Sequence, residues 1–336
     1  MSSVGVVDRP SGPDIFVLGN HVQACCLQVP RAPKAGETLL ATGMDVEPGG
    51  KGLNVAVALA RQGWNVAALF AVGSDAAGEA LQRLLAAEGM SRATCLSLGP
   101  QSGFGVGLIG ADGQNSIAVF LGANALLTAQ HVREHAAPAI GSSQWVYCPF
   151  ELAMAAVRET LCLGRAAGAF NVVNPSPFVR MDADFWDLCD GILVNETEAR
   201  ALLGLPDDLV SEGSLAAVDR WLAWFGSRPR LELAGSVWRG QWLVVTLGEQ
   251  GALMWRCDQP PVWVAAPVVD AIDTVGCGDA FASGFLSVWA RTRDPVRALT
   301  AGNACGARMA TQQGVLAALP DRTQLANWLD EVCLNP

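Results

Sequence analysis

The chain alternates short apolar runs with glycine-containing turns and amphipathic segments, and this rhythm limits the folds open to it more than any other feature. Ile15 to Leu18 reads as a buried strand ending at Gly19. A glycine-rich turn at Gly49 to Asn54 opens a helix to about Gln62, a strand covers Val66 to Val72, and a helix fills most of Ala76 to Glu88. Strand, helix, strand is the order of a parallel sheet covered by helices, so the expected fold class is α/β. At 336 residues, 51% of them hydrophobic, the chain can bury one large core, and one domain is expected rather than two.

The rhythm breaks in two places. Between Phe104 and Leu121 two strands follow each other without a helix, joined by Ala111 to Asn115, where Asp112-Gly113 marks a hairpin. Ser227 to Gly240 reads as a surface insertion ahead of the strand Trp242 to Thr246.

Charge and cysteine usage exclude several classes. A net charge of −10 leaves no basic stripe to offset the repulsion of nucleic-acid phosphate or an anionic membrane. Ten cysteines are scattered without metal-ligand spacing, and reduced thiols are expected. His131 and His135 share a helical face but have no third ligand nearby, which favours a solvated face over a metal site. Apolar stretches are interrupted well short of a membrane span, and residues 1–13 lack the order of a signal peptide, so a cytoplasmic location is expected.

Chemistry concentrates at glycine-rich turns. In Asp273-Thr274-Val275-Gly276-Cys277-Gly278-Asp279-Ala280-Phe281, two glycines and an acid stand at the mouth of a helix whose apolar stripe is Phe281, Phe285, Val288 and Trp289. The first-turn N–H groups of a helix have no partner within it and carry the positive end of its dipole, so an oxyanion is the natural guest. An isolated Asp279 there would be read as an ordinary acid complementing that dipole. Far upstream, Gly49-Gly50-Lys51-Gly52-Leu53-Asn54 is a second such turn, carrying one cation and one amide able to bond sugar hydroxyls. Lys51 is one of only two lysines, against twenty arginines.

These two stretches together resemble the signatures of the ribokinase-like (PfkB-type) carbohydrate kinases, D-T-x-G-A-G-D-x-F and G-G-K-G-x-N, with Cys277 in the usual alanine place. The resemblance spans about residues 15–320. It implies a three-layer α/β/α body with a mainly parallel central sheet, occupying residues 15–330 after an N-terminal tail (1–14), and a small β-strand lid built from about 22–48 and 103–121. It implies that Asp279 is the catalytic base and that the amides of Gly276, Cys277 and Gly278 form an anion hole. Cysteine keeps the N–H this role requires, and its thiol could make the site sensitive to oxidation or simply fit as a small residue. On the acceptor side the resemblance assigns Gly50, Lys51 and Asn54.

The nucleotide side is implied in the same way. Ile192 to Val194 opens into Asn195-Glu196-Thr197-Glu198, similar to the family's N-x-x-E, which would place Asn195 and Glu198 at Mg²⁺ through water. An Asn cap with Glu three residues on is also an ordinary capping box. Thr246, Gly248 and Gly251 match the T-x-G-x-x-G turn that approaches ATP, although a plain hairpin-like turn is the alternative. Asn303 falls near the expected adenine. A monovalent cation, K⁺, is implied beside the anion hole, with Asp273, Val275 and Gly314 matching its loop and Ala318 standing where a polar ligand is often found. A homodimer through the lid is also consistent with the resemblance.

The acceptor strand departs from the family pattern. Val22 and Ala24 occupy the Asn and Asp places of G-x-x-N-x-D, leaving Asn20, His21 or Gln23 to replace them. A charged hydrogen bond contributes about 1.5 to 3 kcal/mol, so ribose is not the expected acceptor. The lid strand Ser102 to Gly110 carries no Lys or Arg, so the expected acceptor is an unphosphorylated sugar or polyol. Phe104 is placed either on that acceptor or in the lid core, and at the end of the strand before Pro149 either Tyr147 or Cys148 is a candidate to face it, with the choice left open. A nucleoside kinase and a catalytically silent sugar or nucleotide sensor are the alternatives. A dinucleotide oxidoreductase is disfavoured, because no G-x-G-x-x-G follows the first strand.

Overall fold

The apolar runs become strands because their side chains can be buried on both faces of a helix-covered sheet. A computed structural model describes residues 14–111, 115–205 and 215–334. The expected tail therefore lies outside the described residues apart from Asp14, as do Asp112, Gly113 and Gln114 of the expected hairpin turn. The central sheet has nine strands: β1 (Ile15–Gly19), β4 (Val66–Val72), β5 (Ala93–Ser97), β8 (Trp145–Pro149), β9 (Phe170–Asn174), β10 (Gly191–Asn195), β13 (Trp242–Thr246), β14 (Ala252–Arg256) and β15 (Gln259–Val264). Their order is β15-β14-β13-β10-β9-β8-β1-β4-β5, antiparallel only where β14 meets its two neighbours.

Helices cover both faces. On one face the core is shared with α1 (Lys51–Arg61), α2 (Ala76–Ala87), α9 (Cys277–Thr292), α10 (Pro295–Ala310) and α11 (Arg322–Leu334). On the other it is shared with α3 (Ala129–His135), α4 (Ala137–Ser142), α5 (Met154–Ala167), α6 (Ala183–Trp186), α7 (Glu196–Leu203) and α8 (Leu215–Gly226). In α9 the expected stripe is realised as a stack, with Phe281 on Phe285 and Phe285 on Trp289 at 6.1 and 6.0 Å between ring centroids.

A second, four-stranded sheet stands against the body in the order β3-β2-β6-β7, from β2 (Val22–Val29), β3 (Gly43–Gly49), β6 (Gly103–Gly110) and β7 (Asn115–Phe120). These are the two segments expected to form the lid. Strand alternation gives the sheet two unlike faces. Ala24, Cys26, Glu47, Asp45, Gly105 and Gly107 share the inner face, fixed by Glu47, whose carboxylate accepts the N–H of Val315 at 2.6 Å and of Leu316 at 3.4 Å. Gln23, Val46, Met44, Phe104 and Phe120 share the outer face.

The region 227–240 corrects its expectation. It contains a two-residue hairpin, β11 (Glu232–Leu233) and β12 (Ser236–Val237), but Leu231, Leu233 and Trp238 are buried in the core. Trp238 Nε1 donates to the carbonyls of Trp186 and Cys189. The segment is a packed part of the body with an exposed tip, not a surface appendage.

Candidate active site

The two glycine-rich turns meet. In the Gly49 to Gly52 run the glycines are a steric requirement: Gly50 has φ +119°, and a Cβ there would stand 2.5 Å from the Asn20 carbonyl oxygen. A Cβ on Gly52 would stand 2.8 Å from Gly19 Cα, so only glycine lets α1 start against the end of β1. The Gly52 N–H donates to Asn20 Oδ1 at 2.7 Å. One turn on, Asn54 Nδ2 donates to Asp279 Oδ2 at 2.7 Å, joining residues 225 positions apart.

Asp279 lies in the first turn of α9 and is 7% exposed. Burial raises its carboxyl above the usual range, opposed by the Lys51 charge and the Asn54 hydrogen bond. Burial also works against the Lys51 ammonium, but the carboxylates of Asp279, Glu151 and Glu198 outweigh it and raise that group. Lys51 Nζ lies 3.9 Å from Glu151 Oε1. Glu151 Oε2 in turn accepts from Asn20 Nδ2 at 2.6 Å, and burial raises its carboxyl despite Lys51.

Gly276 caps α9 in the left-handed region with φ +79°, a turn that glycine allows, and its carbonyl accepts the Asp279 and Ala280 N–H groups. A Cβ on Gly278 would meet nothing within 4 Å, so there is open space for an anion against that backbone. Cys277 N–H reaches the Thr274 carbonyl at a long 3.4 Å. Burial, with Asp273 and Asp279 adding, pushes the Cys277 thiol up to about 12, which disfavours the thiolate.

The nucleotide-side residues stand at the carboxyl ends of β10 and β13, where open α/β sheets bind ligands. Asn195 and Glu198 form the capping box: Asn195 Oδ1 accepts the Glu198 N–H at 2.8 Å, and Glu198 Oε2 accepts the Asn195 N–H at 3.0 Å. The cap engages one carboxylate oxygen, Oε2. A lone carboxylate suits Mg²⁺ held chiefly by phosphate oxygens and water. Thr246 Oγ1 donates to the Val194 carbonyl at 3.4 Å, and the T-x-G-x-x-G turn joins antiparallel β13 and β14. Gly248 has open space beside it, whereas a side chain on Gly251 would collide with the Val264 carbonyl. Asn303 donates to the carbonyls of Val264 and Ala265, fixing the same backbone that crowds Gly251. Its Nδ2 is thus tied to the backbone beside the T-x-G-x-x-G turn. Asp273 Oδ1 accepts the Val275 N–H at 2.9 Å.

Three acceptor-side expectations change. Gln23 and Phe104 point to the outer face, opposite Ala24, so neither reaches the acceptor in this geometry. Asn20 is fully buried between Gly52 and Glu151, positioning both rather than standing open to a hydroxyl. Of the pair ending β8, Tyr147 packs in the α1/α9 layer and Cys148 in the opposite one. Glu151 escaped the sequence reading; its one signal is an acid just past the carboxyl end of an apolar strand.

The pattern of the pfkB family carbohydrate kinases matches residues 14–322. The chain belongs to that family. A deoxyribokinase of Salmonella typhi is 30% identical over 322 residues, covering 94% of this chain and 98% of its own. Among solved structures, the kinase resembles an Arabidopsis thaliana ribokinase complexed with ribose and ATP (TM-score 0.77, 22% identity, covering 95% of this chain and 99% of that one). It also resembles a Burkholderia thailandensis nucleoside kinase in complex with inosine (TM-score 0.74, 21% identity, 95% and 96%). The fold of the kinase is thus ribokinase-like, and this likeness does not itself separate sugar from nucleoside.

Proposed function

We propose that this pfkB kinase transfers the γ-phosphoryl group of ATP to a hydroxyl of an unphosphorylated sugar or related polyol, with Asp279 as general base. The observation that carries this reading is the Asn54–Asp279 hydrogen bond, which brings both glycine-rich signatures to one buried carboxylate. Asp279 accepts the hydroxyl proton as that oxygen attacks phosphorus and the bond to ADP breaks. Asn54 aims the carboxylate, and Lys51 holds its charge in a desolvated site. The amides at 276–278 face the charge that gathers on the phosphoryl oxygens. Mg²⁺, reached by Glu198 through water, would neutralise phosphate charge. K⁺ would be held by the loop of Asp273, Val275 and Gly314, where Asp273 Oδ1 accepts the Val275 N–H and Ala318 offers no side-chain oxygen.

Inner-face residues of the small sheet include no cation to hold a second phosphate, which supports an unphosphorylated acceptor. The outer face exposes Met44, Val46, Phe104 and Phe120, at 43–65% of their surface, and supports a homodimer in which two lids cover each other. Nine of the ten cysteines, those other than Cys333, are free thiols, and among the described residues no helix is long and apolar enough to cross a membrane. Free thiols and a need for ATP fit the cytoplasm.

The decisive experiment is acceptor-dependent ADP release by Asp279→Asn over a panel of sugars and nucleosides. Turnover is expected to fall roughly 10²- to 10⁴-fold with ATP binding retained. Near wild-type phosphorylation of the best acceptor would refute the assignment, and no acceptor-dependent turnover by the wild type would favour the sensor.

A further inference from the structure

Glu47 stands on β3 just ahead of Gly49, so a very short stretch of chain joins it to the Gly50 and Lys51 turn. Its carboxylate reaches across to the body. Oε1 accepts the Val315 N–H at 2.6 Å, a bond between positions 268 apart, and Oε2 accepts the Leu316 N–H at 3.4 Å. The loop so gripped is also held by its carbonyls. Arg61, in the last turn of α1, donates from Nη1 to the Leu316 carbonyl at 2.6 Å and to the Leu319 carbonyl at 3.3 Å, and its guanidinium is fixed by Glu88. These handles on the loop flank the acceptor turn in the chain: Glu47 precedes it, and Arg61 ends the helix that it opens.

Val315 carries the contact onward. It is 6% exposed, and its Cγ1 lies 2.7 Å from where a Cβ on Gly276 would stand, so its side chain fills the space beside the left-handed cap of α9. Its N–H is taken by Glu47 and its carbonyl by the Ala318 N–H at 3.1 Å, which leaves its backbone anchored on both sides. A carboxylate on a backbone N–H makes a stronger bond than a neutral acceptor does. Close-packed interiors have low compressibility, so a shift of Val315 is felt at Gly276. A line of contacts therefore runs from the acceptor turn through Glu47 and Val315 to the head of α9.

Resting on the kinase reading, we infer that Glu47 is a positioning residue that sets the acceptor turn against the phosphoryl-binding turn by acting through Val315 on Gly276. Phosphoryl transfer is sensitive to such a distance, because a misplacement of about 1 Å can cost on the order of 10²-fold in rate. The chemistry is unchanged: the hydroxyl oxygen gains the phosphoryl group, ADP leaves, and Asp279 takes the proton. Glu47 fixes where the two turns stand when this happens.

The test uses the full chain in two arms, with KCl held constant. In the first, without ligand, hydrogen–deuterium exchange of peptides covering 274–279 should quicken about tenfold in Glu47→Ala, with the thermal midpoint kept. In the second, with ATP and Mg²⁺ and the fastest acceptor from a panel of sugars and nucleosides, Glu47→Ala should lower kcat roughly 10- to 100-fold while the ATP dissociation constant stays within about threefold. Glu47→Gln, which keeps an accepting oxygen, should restore at least about a third of wild-type kcat. In a double-mutant cycle, Glu47→Ala added to Val315→Ala should cost less than about threefold more, since the relay is already broken. Unchanged exchange, an unchanged kcat, no restoration by glutamine, or fully multiplicative losses would each overturn the inference and leave the kinase reading standing. A wild type without acceptor-dependent ADP release on any compound would overturn the kinase reading and, with it, the role given to Glu47.

Discussion

Asp279 is held in a conflict between burial, which raises its carboxyl, and Lys51 with Asn54, which lower it. The net rise places the acid limb of kcat/KM above the ordinary aspartate value of about 3.9. Lys51→Met removes one of the lowering influences, so a pH–rate profile of that variant should show the limb displaced further upward. Stability has the opposite sense. A carboxylate raised by folding contributes stability fully present below its unfolded value and lost as pH rises through its folded one. Asp279→Asn should therefore not lower the thermal midpoint at pH 8. For Glu151→Gln, loss of the charge beside Lys51 should raise acceptor KM about tenfold, equivalent to about 1.4 kcal/mol, with kcat less affected in steady-state kinetics. Asp279, Lys51 and Asn54 were legible because their chemistry requires fixed residue types at fixed spacing. Glu151 was not, since a lone acid after a strand acquires meaning only when Asn20 and Lys51 come to it in space.

At the scale of elements, glycine positions carry the geometry. Gly276 holds φ +79°, and a Cβ there would stand 2.7 Å from Val315 Cγ1 and 2.9 Å from Met309 Cε. Gly276→Ala is expected to destabilise the fold by roughly 1 to 3 kcal/mol in urea titration and to reduce kcat by misdirecting the amides that follow. The main strands and helices could be read from periodicity, because a helix-covered sheet imposes it directly. The phase of the small sheet could not. Passing from β1 to β2 through Asn20 and His21 sets which side chains face the body, and one residue of shift turns Gln23 outward. Burial of Trp238 was equally hidden, since the carbonyls that receive its N–H belong to Trp186 and Cys189, about fifty positions earlier.

For the whole molecule, the sheet divides the labour. The layer with α1 and α9 bears the proposed base Asp279, Lys51 and the proposed anion-binding turn, while the opposite layer supplies packing and the Glu198 junction. The exposed apolar side of the small sheet predicts association: light scattering should give twice the monomer mass for wild type, and Phe104→Arg should yield the monomer with the body's thermal midpoint kept. The tie between Asn54 and Asp279 has one more consequence. Its two ends enter the chain early and late, so neither a truncated nascent polypeptide nor a molecule with one frayed helix can assemble the reactive centre. Enzymatic output thus doubles as a gauge of complete folding, and a cell making this kinase releases no activity until synthesis has passed the ninth helix.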